Sequence, residues 1–151
     1  EPRWLDEREA RVWQAYLAVN RELHSAVERQ LVRDSGLSNA DYAVLVPLSE
    51  APDGVVRSRE LGALVGWERS RLSHQIGRME KRGLVVREEC PEDARGSMVR
   101  LTAAGRAAIE SAAPGHVATV RRYVFDDLTP EEATTLDRVF HRVLDRIVAD
   151  T

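Results

Sequence analysis

The chain has 151 residues, of which 43% are hydrophobic and 31% charged, and its net charge is −3. This balance is typical of a single globular domain and excludes a disordered chain. No apolar run approaches the roughly 20 residues that span a bilayer, and no signal peptide is evident, so we expect no membrane partner. Because Cys90 is the one cysteine, no intrachain disulfide can form, and we expect a reducing, cytoplasmic setting.

The charges are unevenly distributed along the chain. Residues 57–100 hold ten Lys and Arg against seven Asp and Glu, a local charge of +3, whereas the remainder carries −6. A basic middle between acidic ends is expected of a DNA-contacting module on a separate scaffold. Chance clustering on a solvated face gives the same pattern, so the charges need a motif before they indicate a partner.

Apolar spacing predicts two helices in the first fifty residues. Apolar side chains recur every three or four positions from Asp6 to about Val32, which indicates one long helix. Ser38 is a suitable N-cap for the second helix, and Asp41 lies in its first turn, where a carboxylate suits the helix dipole. Pro47 should kink this second helix or end it early.

Two more helices and a hairpin are predicted next. A short strand at 55–56 precedes a helix over 59–65 that Ser58 should cap, and a longer helix should follow from about Glu68 to Arg82, with Gly83 as its stop. After it, the pattern predicts a strand over 84–88, a polar loop over 90–97 and a second strand over 98–101.

The last fifty residues predict helices again. Thr102 should cap a fifth helix that runs to Ala112 and is interrupted at 114–115. Residues 129–132 combine an N-cap Thr, a Pro at the first helical position and a Glu that closes a capping box, so a last helix should start there. Its apolar stripe is wide. The chain is thus predicted to be mainly α with a small β-hairpin wing.

The helices over 58–82 have the pattern of a helix-turn-helix, in which the first helix is a brace and the second, the reader, enters a major groove about 12 Å wide. The side chains expected in the core are Leu61, Leu64 and Val65 of the brace and Leu72, Ile76 and Met79 of the reader. The predicted DNA-binding face of the reader carries Arg69, Ser70, Arg71, Ser73, His74, Gln75 and Arg78. Considered alone, an ordinary arginine-rich surface helix fits equally well.

The hairpin that follows the reader helix favours DNA binding. An arginine at a hairpin tip, here Arg95, can enter a minor groove, and Asp93 can support its guanidinium. A surface ion pair of little energetic consequence is the plainer interpretation of these two residues.

Three motifs in order resemble the MarR-type regulators. They are Arg78–Val85 followed by Arg87 at the end of the reader helix, Asp93–Gly96 at the wing tip, and Val99–Gly105, which contains Leu-Thr-Ala-Ala-Gly. The resemblance covers nearly the whole chain. Pro47 departs from it, because the family more often has a helix former there.

The resemblance implies a winged helix-turn-helix lobe over 37–101 and a helical dimerisation lobe over 1–36 and 102–151. It also implies a homodimer that binds double-stranded DNA, with a reader helix in each major groove and a wing in each minor groove. The terminal helices agree, since they are too apolar to be left exposed. A two-fold dimer predicts a pseudo-palindromic operator. We expect a repressor whose effector shifts the spacing of the two reader helices.

An effector pocket is predicted between scaffold and reader. Tyr16, Asn20 and His24 share one face of the first helix, and with Tyr42 and Trp67 they could line a site for a phenolic or anionic aromatic molecule. Simple packing at the helix joint explains the same residues equally well, and Trp67 fits the core better than a pocket.

Other functional classes find little support. The acidic neighbours of Cys90 disfavour a reactive thiolate, and His24, His116 and His141 lack metal-binding spacing, so we expect no redox switch, metal or other cofactor. No catalytic motif is present, so we expect no enzyme. The alternative from another class is a winged-helix protein–protein module without DNA binding, which would need neither the carboxylate-free face nor the arginine-tipped wing.

Overall fold

A computed structural model describes the backbone of all 151 residues and every side chain except those of Asp93, Ala94 and Arg95. The elements are α1 Glu7–Ser35, α2 Asn39–Glu50, β1 Val55–Arg57, α3 Ser58–Val65, α4 Arg69–Lys81, β2 Val85–Cys90, β3 Asp93–Leu101, α5 Ala103–Val120 and α6 Pro130–Ala149. The predicted fold class, mainly helical with a small sheet, is confirmed.

The chain forms two compact units, Glu1–His116 and Val117–Thr151. The first contains the hydrophobic core, to which the second half of α1, α2, α3, α4, the sheet and the first part of α5 contribute. The second unit has no buried side chain. The predicted division into lobes over 37–101 and over 1–36 with 102–151 stays a prediction. None of the helices whose side chains are described is long and apolar enough to cross a membrane.

Capping boxes start two of the helices where the sequence predicts them. The Ser38 hydroxyl accepts from the Asp41 backbone N–H, and the Asp41 carboxylate accepts in return from the Ser38 N–H. Thr129 and Glu132 form the same pair at the start of α6. Each box satisfies two backbone donors that the helix itself leaves without partners.

The helices run further than their prolines and polar ends suggest. α1 continues to Ser35 and ends at Gly36, whose φ of 70° suits glycine. Pro47 does not end α2 early, because the Ala51 N–H still donates to the Pro47 carbonyl at 3.1 Å in the last turn. The predicted interruption of α5 at Pro114 is also wrong. A proline removes one helical hydrogen bond, and the longer helix around it continues to Val120.

Ser58 does not cap α3. The N-cap is Arg57, the last residue of β1, and Ser58 is already helical. Its hydroxyl instead shares a 2.6 Å hydrogen bond with the hydroxyl of Ser97 on β3. The prediction failed because the strand passes into the helix without a loop, so the serine lies one position too late to cap it.

The antiparallel sheet has the order β1-β3-β2, with Val56 opposite Val99 and Val85 opposite Leu101. The short strand predicted at 55–56 is confirmed. The hairpin strands, however, are longer than predicted, and the expected polar loop over 90–97 shrinks to Pro91 and Glu92. Backbone pairing continues along the hairpin through residues that show no apolar alternation in the sequence, so hydrophobic alternation does not mark these strand ends.

Of the six core positions predicted for the helix-turn-helix, four are buried, Val65 is half-buried and Leu64 is exposed. Leu61, Leu72, Ile76 and Met79 are buried, whereas Leu64 is 60% exposed. α3 has only eight residues, and one apolar position per turn is enough to attach so short a helix. Leu64 therefore faces solvent in this chain.

Gly105 in the first turn of α5 lies against Leu84, which precedes β2, and against Leu101 at the end of β3. A Cβ at this position would lie 2.1 Å from the Leu84 carbonyl oxygen and 2.7 Å from the Leu101 side chain. Because the nearest atom belongs to the backbone, a small side-chain rotation cannot relieve the clash. The close approach of helix and strand requires glycine here.

We predict that Gly105→Ala lowers the free energy of unfolding by about 2 kcal/mol or more, as overpacking does. Gly77→Ala is the matched control: its Cβ would meet only Arg87 at 3.8 Å, and in mid-helix it should stabilise by up to about 1 kcal/mol. Urea denaturation of both variants measures the difference. Equal stability of the two would contradict the close approach.

Candidate nucleic-acid interface

The turn between α3 and α4 is set by two glycines. Gly66 has a φ of 74°, and the N–H groups of Gly66 and Trp67 both donate to the Gly62 carbonyl, at 2.9 and 3.0 Å. A Cβ on Gly62 would lie 3.3 Å from the Trp67 carbonyl oxygen, so the turn packs directly on the preceding helix. This tight turn fixes the angle at which α4 leaves α3.

α4 buries one side and exposes the other. Leu72, Ile76 and Met79 face the core, and the exposed side chains include Arg69, Ser70, Arg71, Ser73, His74, Arg78 and Lys81. The prediction that Gln75 belongs to the DNA-binding face is wrong, because its side chain is only 3% exposed. At a helical step of 100°, Gln75 lies beside Met79 and Leu72 at the edge of the apolar side, where it donates to the Asp41 carboxylate on α2.

The exposed face of α4 is rich in cationic and hydroxyl groups. The Arg71 guanidinium lies 4.4 Å from the centre of the Trp67 ring, which is half-buried, so a cation–π contact restrains it. The Ser70 hydroxyl donates to the Glu68 carboxylate at 3.2 Å, at the very start of the helix. Beyond that first turn no acidic residue occurs until Glu80, and phosphates meet no repulsion along the middle of the helix.

A cleft of about 590 Å³ lies between α3, α4 and the hairpin. Its lining includes four arginines and no acidic residue among the side chains that the structure describes. Sequence analysis missed three of these cations, because they come from the end of β1, from α3 and from β2. The arginines of the cleft are Arg57, Arg59, Arg69 and Arg87.

Arg87 joins the hairpin to α4. Its guanidinium donates to the Ser73 carbonyl and, at 3.3 Å, to the Ser73 hydroxyl, while its backbone N–H donates to the Glu80 carboxylate at 3.0 Å. β2 is therefore fastened to the middle and the end of the helix. The predicted wing-tip pair, Asp93 and Arg95, lies outside the described side chains, and its role stays a prediction.

A buried carboxylate on α2 holds the side of α4 that carries Gln75. Asp41, 3% exposed, accepts from Gln75 Nε2 and from Arg82 Nη1, both at 2.7 Å. Arg82 also donates to the Gly36 carbonyl at 3.0 Å. Burial alone would raise the pKa of Asp41, but the hydrogen bonds from Arg82 and Ser38 outweigh it, so the pKa lies below its ordinary value.

We predict that Asp41→Asn lowers the free energy of unfolding at pH 7 by about 1–3 kcal/mol, because Arg82 loses a charge-assisted hydrogen bond. Since the folded-state pKa of Asp41 is depressed, its stabilisation is present above about pH 4 and is lost as the pH falls through the folded-state value. The difference in the free energy of unfolding between wild type and variant should therefore become smaller in acid. Denaturant titrations at pH 7 and pH 3 measure it.

The control for this prediction is Asp126→Asn, whose carboxylate forms a 3.5 Å, solvent-exposed pair with Arg121. Such pairs contribute little, so this variant should match wild type. A gap for Asp41→Asn that is the same at both pH values would contradict the charged hydrogen bond.

The predicted effector residues are not gathered into one cavity. Tyr16, Asn20 and His24 are exposed on α1, and the Tyr42 ring lies 4.2 Å from that of His116. Trp67 instead lines the arginine cleft, whose described lining includes none of the other four. Trp67 is therefore separate from the other four, and the expectation that it belongs to the core is wrong, because it is half-buried and lines the cleft. The effector pocket stays a prediction for the rest.

Cys90 has a partner that its sequence neighbours do not reveal. The thiol is buried, and Arg57 Nη2 lies 3.0 Å from its sulfur. The acidic neighbours Glu88 and Glu89 thus do not define its surroundings. Among the side chains that the structure describes, no three His, Cys, Asp or Glu are close enough to hold a metal ion.

The packed brace, the exposed cationic helix and the fastened hairpin define a winged helix-turn-helix protein. Comparison with known proteins identifies the family. The MarR family model matches residues 35–96. Sco3205, a MarR family transcriptional regulator from Streptomyces coelicolor solved in complex with DNA, is 42% identical over 95% of this chain and 91% of its own, with a TM-score of 0.92.

Two further structures agree. AbsC, a MarR family transcriptional regulator from Streptomyces coelicolor, is 39% identical over 98% of this chain and 99% of its own, with a TM-score of 0.93. CouR from Rhodococcus jostii RHA1, bound to p-coumaroyl-CoA, is 26% identical over 87% of this chain and 90% of its own, with a TM-score of 0.75. The chain belongs to the MarR family of DNA-binding transcriptional regulators.

Proposed function

We propose that the protein is a homodimeric repressor that binds a pseudo-palindromic operator and releases it when an effector binds. The observation that carries the proposal is the exposed face of α4, free of acidic residues between Glu68 and Glu80 and flanked by a cleft with four arginines. In this proposal the protein acts by binding rather than by catalysis, and it works where the DNA is, in the cytoplasm.

Each reader helix would lie in a major groove. The long cationic side chains of the helix contact phosphates or guanine edges, and the shorter polar ones contact neighbouring phosphates and bases. The long side chains are Arg69, Arg71 and Arg78, and the shorter ones are Ser70, Ser73 and His74. Arg95 of the wing would enter the flanking minor groove, with Asp93 as its support. Operator half-sites should then lie about one helical turn apart.

We predict that Arg95→Ala weakens operator binding about tenfold or more without changing the thermal unfolding midpoint, because an arginine that enters a minor groove contributes to DNA affinity rather than to the core. Fluorescence anisotropy with a labelled operator at several salt concentrations measures the effect. Arg29→Ala, an exposed arginine on α1, is the control and should leave affinity unchanged. Unaltered operator affinity for Arg95→Ala would remove the wing from the interface.

A protein–protein module without DNA binding predicts a different result in the same assay. The wild-type protein should bind duplex DNA with an affinity that falls steeply with salt, since each neutralised phosphate releases counterions. Weak, salt-independent retention on duplex DNA would favour the alternative module.

The homodimer is supported by the apolar surface of the single chain. Six large apolar side chains of α6 are 37–71% exposed, and no residue of that helix is buried. The first half of α1 exposes Trp13, Tyr16 and Leu17 as well. Soluble monomers rarely expose so many large apolar side chains on one helix as α6 does, and a second copy of the chain would cover them. The exposed side chains of α6 are Leu136, Phe140, Val143, Leu144, Ile147 and Val148.

We predict that Phe140→Glu with Leu144→Glu makes the protein monomeric and abolishes tight operator binding, because two carboxylates would be buried in the interface. Sedimentation velocity measures the mass and anisotropy measures binding. Arg138→Glu on the same helix, where the side chain is already charged, is the control. A dimer that survives the double substitution would show that α6 lies outside the interface.

The effector is expected to be a phenolic or anionic aromatic molecule. CouR, at 26% identity, binds an aromatic acyl thioester, which supports this chemical class. Tyr42 and His116, half-buried and in ring contact, are the aromatic pair of the first unit nearest to such a role. A panel of hydroxybenzoates and hydroxycinnamates, tested for release of labelled operator, examines this class directly, and no release by any member would exclude it.

A further inference from the structure

A row of three polar side chains leads from the core to the DNA-binding face. The Asp41 carboxylate accepts from Gln75 Nε2 at 2.7 Å, and Gln75 Oε1 accepts from Arg78 Nη2 at 2.7 Å. Asp41 and Gln75 are each 3% exposed, whereas Arg78 is exposed on α4. A buried amide thus links a fixed carboxylate to a side chain of the predicted interface.

Chemistry fixes the orientation of this amide. A carboxylate offers only acceptors, so Gln75 must present its NH₂ group to Asp41. A guanidinium offers only donors, so the carbonyl oxygen must face Arg78. If the amide were flipped, its oxygen would face the Asp41 carboxylate and its NH₂ group would face the Arg78 guanidinium. Gln75 therefore has one orientation in this setting.

Asp41 is itself held firmly. Its second oxygen accepts from Arg82 and from the Ser38 N–H, and its own N–H closes the capping box of α2. The row therefore begins at an immobile point of the first unit. Arg78, one turn before the end of α4, receives its restraint from the core rather than from the helix surface.

We propose that Gln75 is a positioning residue for DNA recognition: it restrains the Arg78 guanidinium in its binding orientation before DNA arrives. The inference rests on the proposed operator binding. An arginine that is ordered in the free protein loses less rotamer freedom on binding, so preorganisation raises affinity without a new contact. Gln75 itself touches no DNA in this scheme, which explains why a polar side chain on the reader helix is buried.

A double-mutant cycle on operator affinity tests the inference. Gln75→Met keeps the side-chain length and removes both hydrogen bonds, and Arg78→Ala removes the restrained group. We expect Gln75→Met to weaken operator binding about tenfold in the wild-type background. In the Arg78→Ala background the same change should have less than about a twofold effect, because its target is gone. Equal factors in both backgrounds, or no effect of Gln75→Met, would overturn the inference.

Gln30→Met is the matched control. Gln30 is 6% exposed, lies on α1 and donates to Asp34, so its substitution also alters a buried glutamine but far along the chain from Arg78. It should leave operator affinity unchanged even if it lowers stability. Failure of wild type to bind duplex DNA would count against the proposed function. If wild type binds, an Arg78→Ala variant with unchanged affinity or a failed cycle counts against the role of Gln75 alone.

A measurement on the wild-type protein covers the case in which Gln75→Met does not fold. The ¹⁵N order parameter of the Arg78 side chain in the free protein should exceed that of Arg69, which makes no side-chain hydrogen bond to any residue whose side chain is described. Similar order parameters for the two arginines would overturn the inference without any variant.

Discussion

A helix that enters a DNA groove can be attached to its own protein along one side only. In this chain α4 has three kinds of attachment, and Ser73 is the one side chain of the exposed face described above that takes part in them. Leu72, Ile76 and Met79 supply the apolar contact, Asp41 anchors the side that faces α2, and Arg87 fastens the hairpin to the helix. The apolar contact supplies most of the free energy that holds α4 against the core. The hydrogen-bonded groups fix the rotation of the helix about its axis.

The arrangement also explains how a chain of net charge −3 can present a DNA-binding surface. Acidic residues of the middle segment lie at a helix start, on a hairpin strand or in a hydrogen bond, as Glu68, Glu88 and Glu80 show respectively. Four arginines meet in one cleft although they come from four different elements or their ends. Local potential, rather than net charge, determines whether phosphates are attracted.

Local signals in the sequence predicted well what local chemistry determines. Ser38 and Thr129 cap helices because their partners lie three residues away, and Gly66 and Gly83 end helices because their backbones are left-handed. The sequence could not place Gln75, Arg87 or Arg57, since their partners are 34, 14 and 33 residues away. Periodicity assigned Gln75 to the polar face because it counts side chains as polar or apolar and cannot show a buried carboxylate opposite. The wing strands were cut short for a related reason, as backbone pairing needs no apolar pattern.

Arg82 connects the two ends of this system. Its guanidinium donates to the Asp41 carboxylate and to the carbonyl of Gly36, the C-cap residue that follows α1. The reader helix therefore cannot shift relative to the end of α1 without stretching at least one of these bonds or carrying Asp41 along. Because Asp41 also bonds to Gln75, such a shift reaches Arg78 as well. A change at the α1–α2 junction would thus alter both the direction of the helix and the order of one of its arginines, through side chains that never touch DNA.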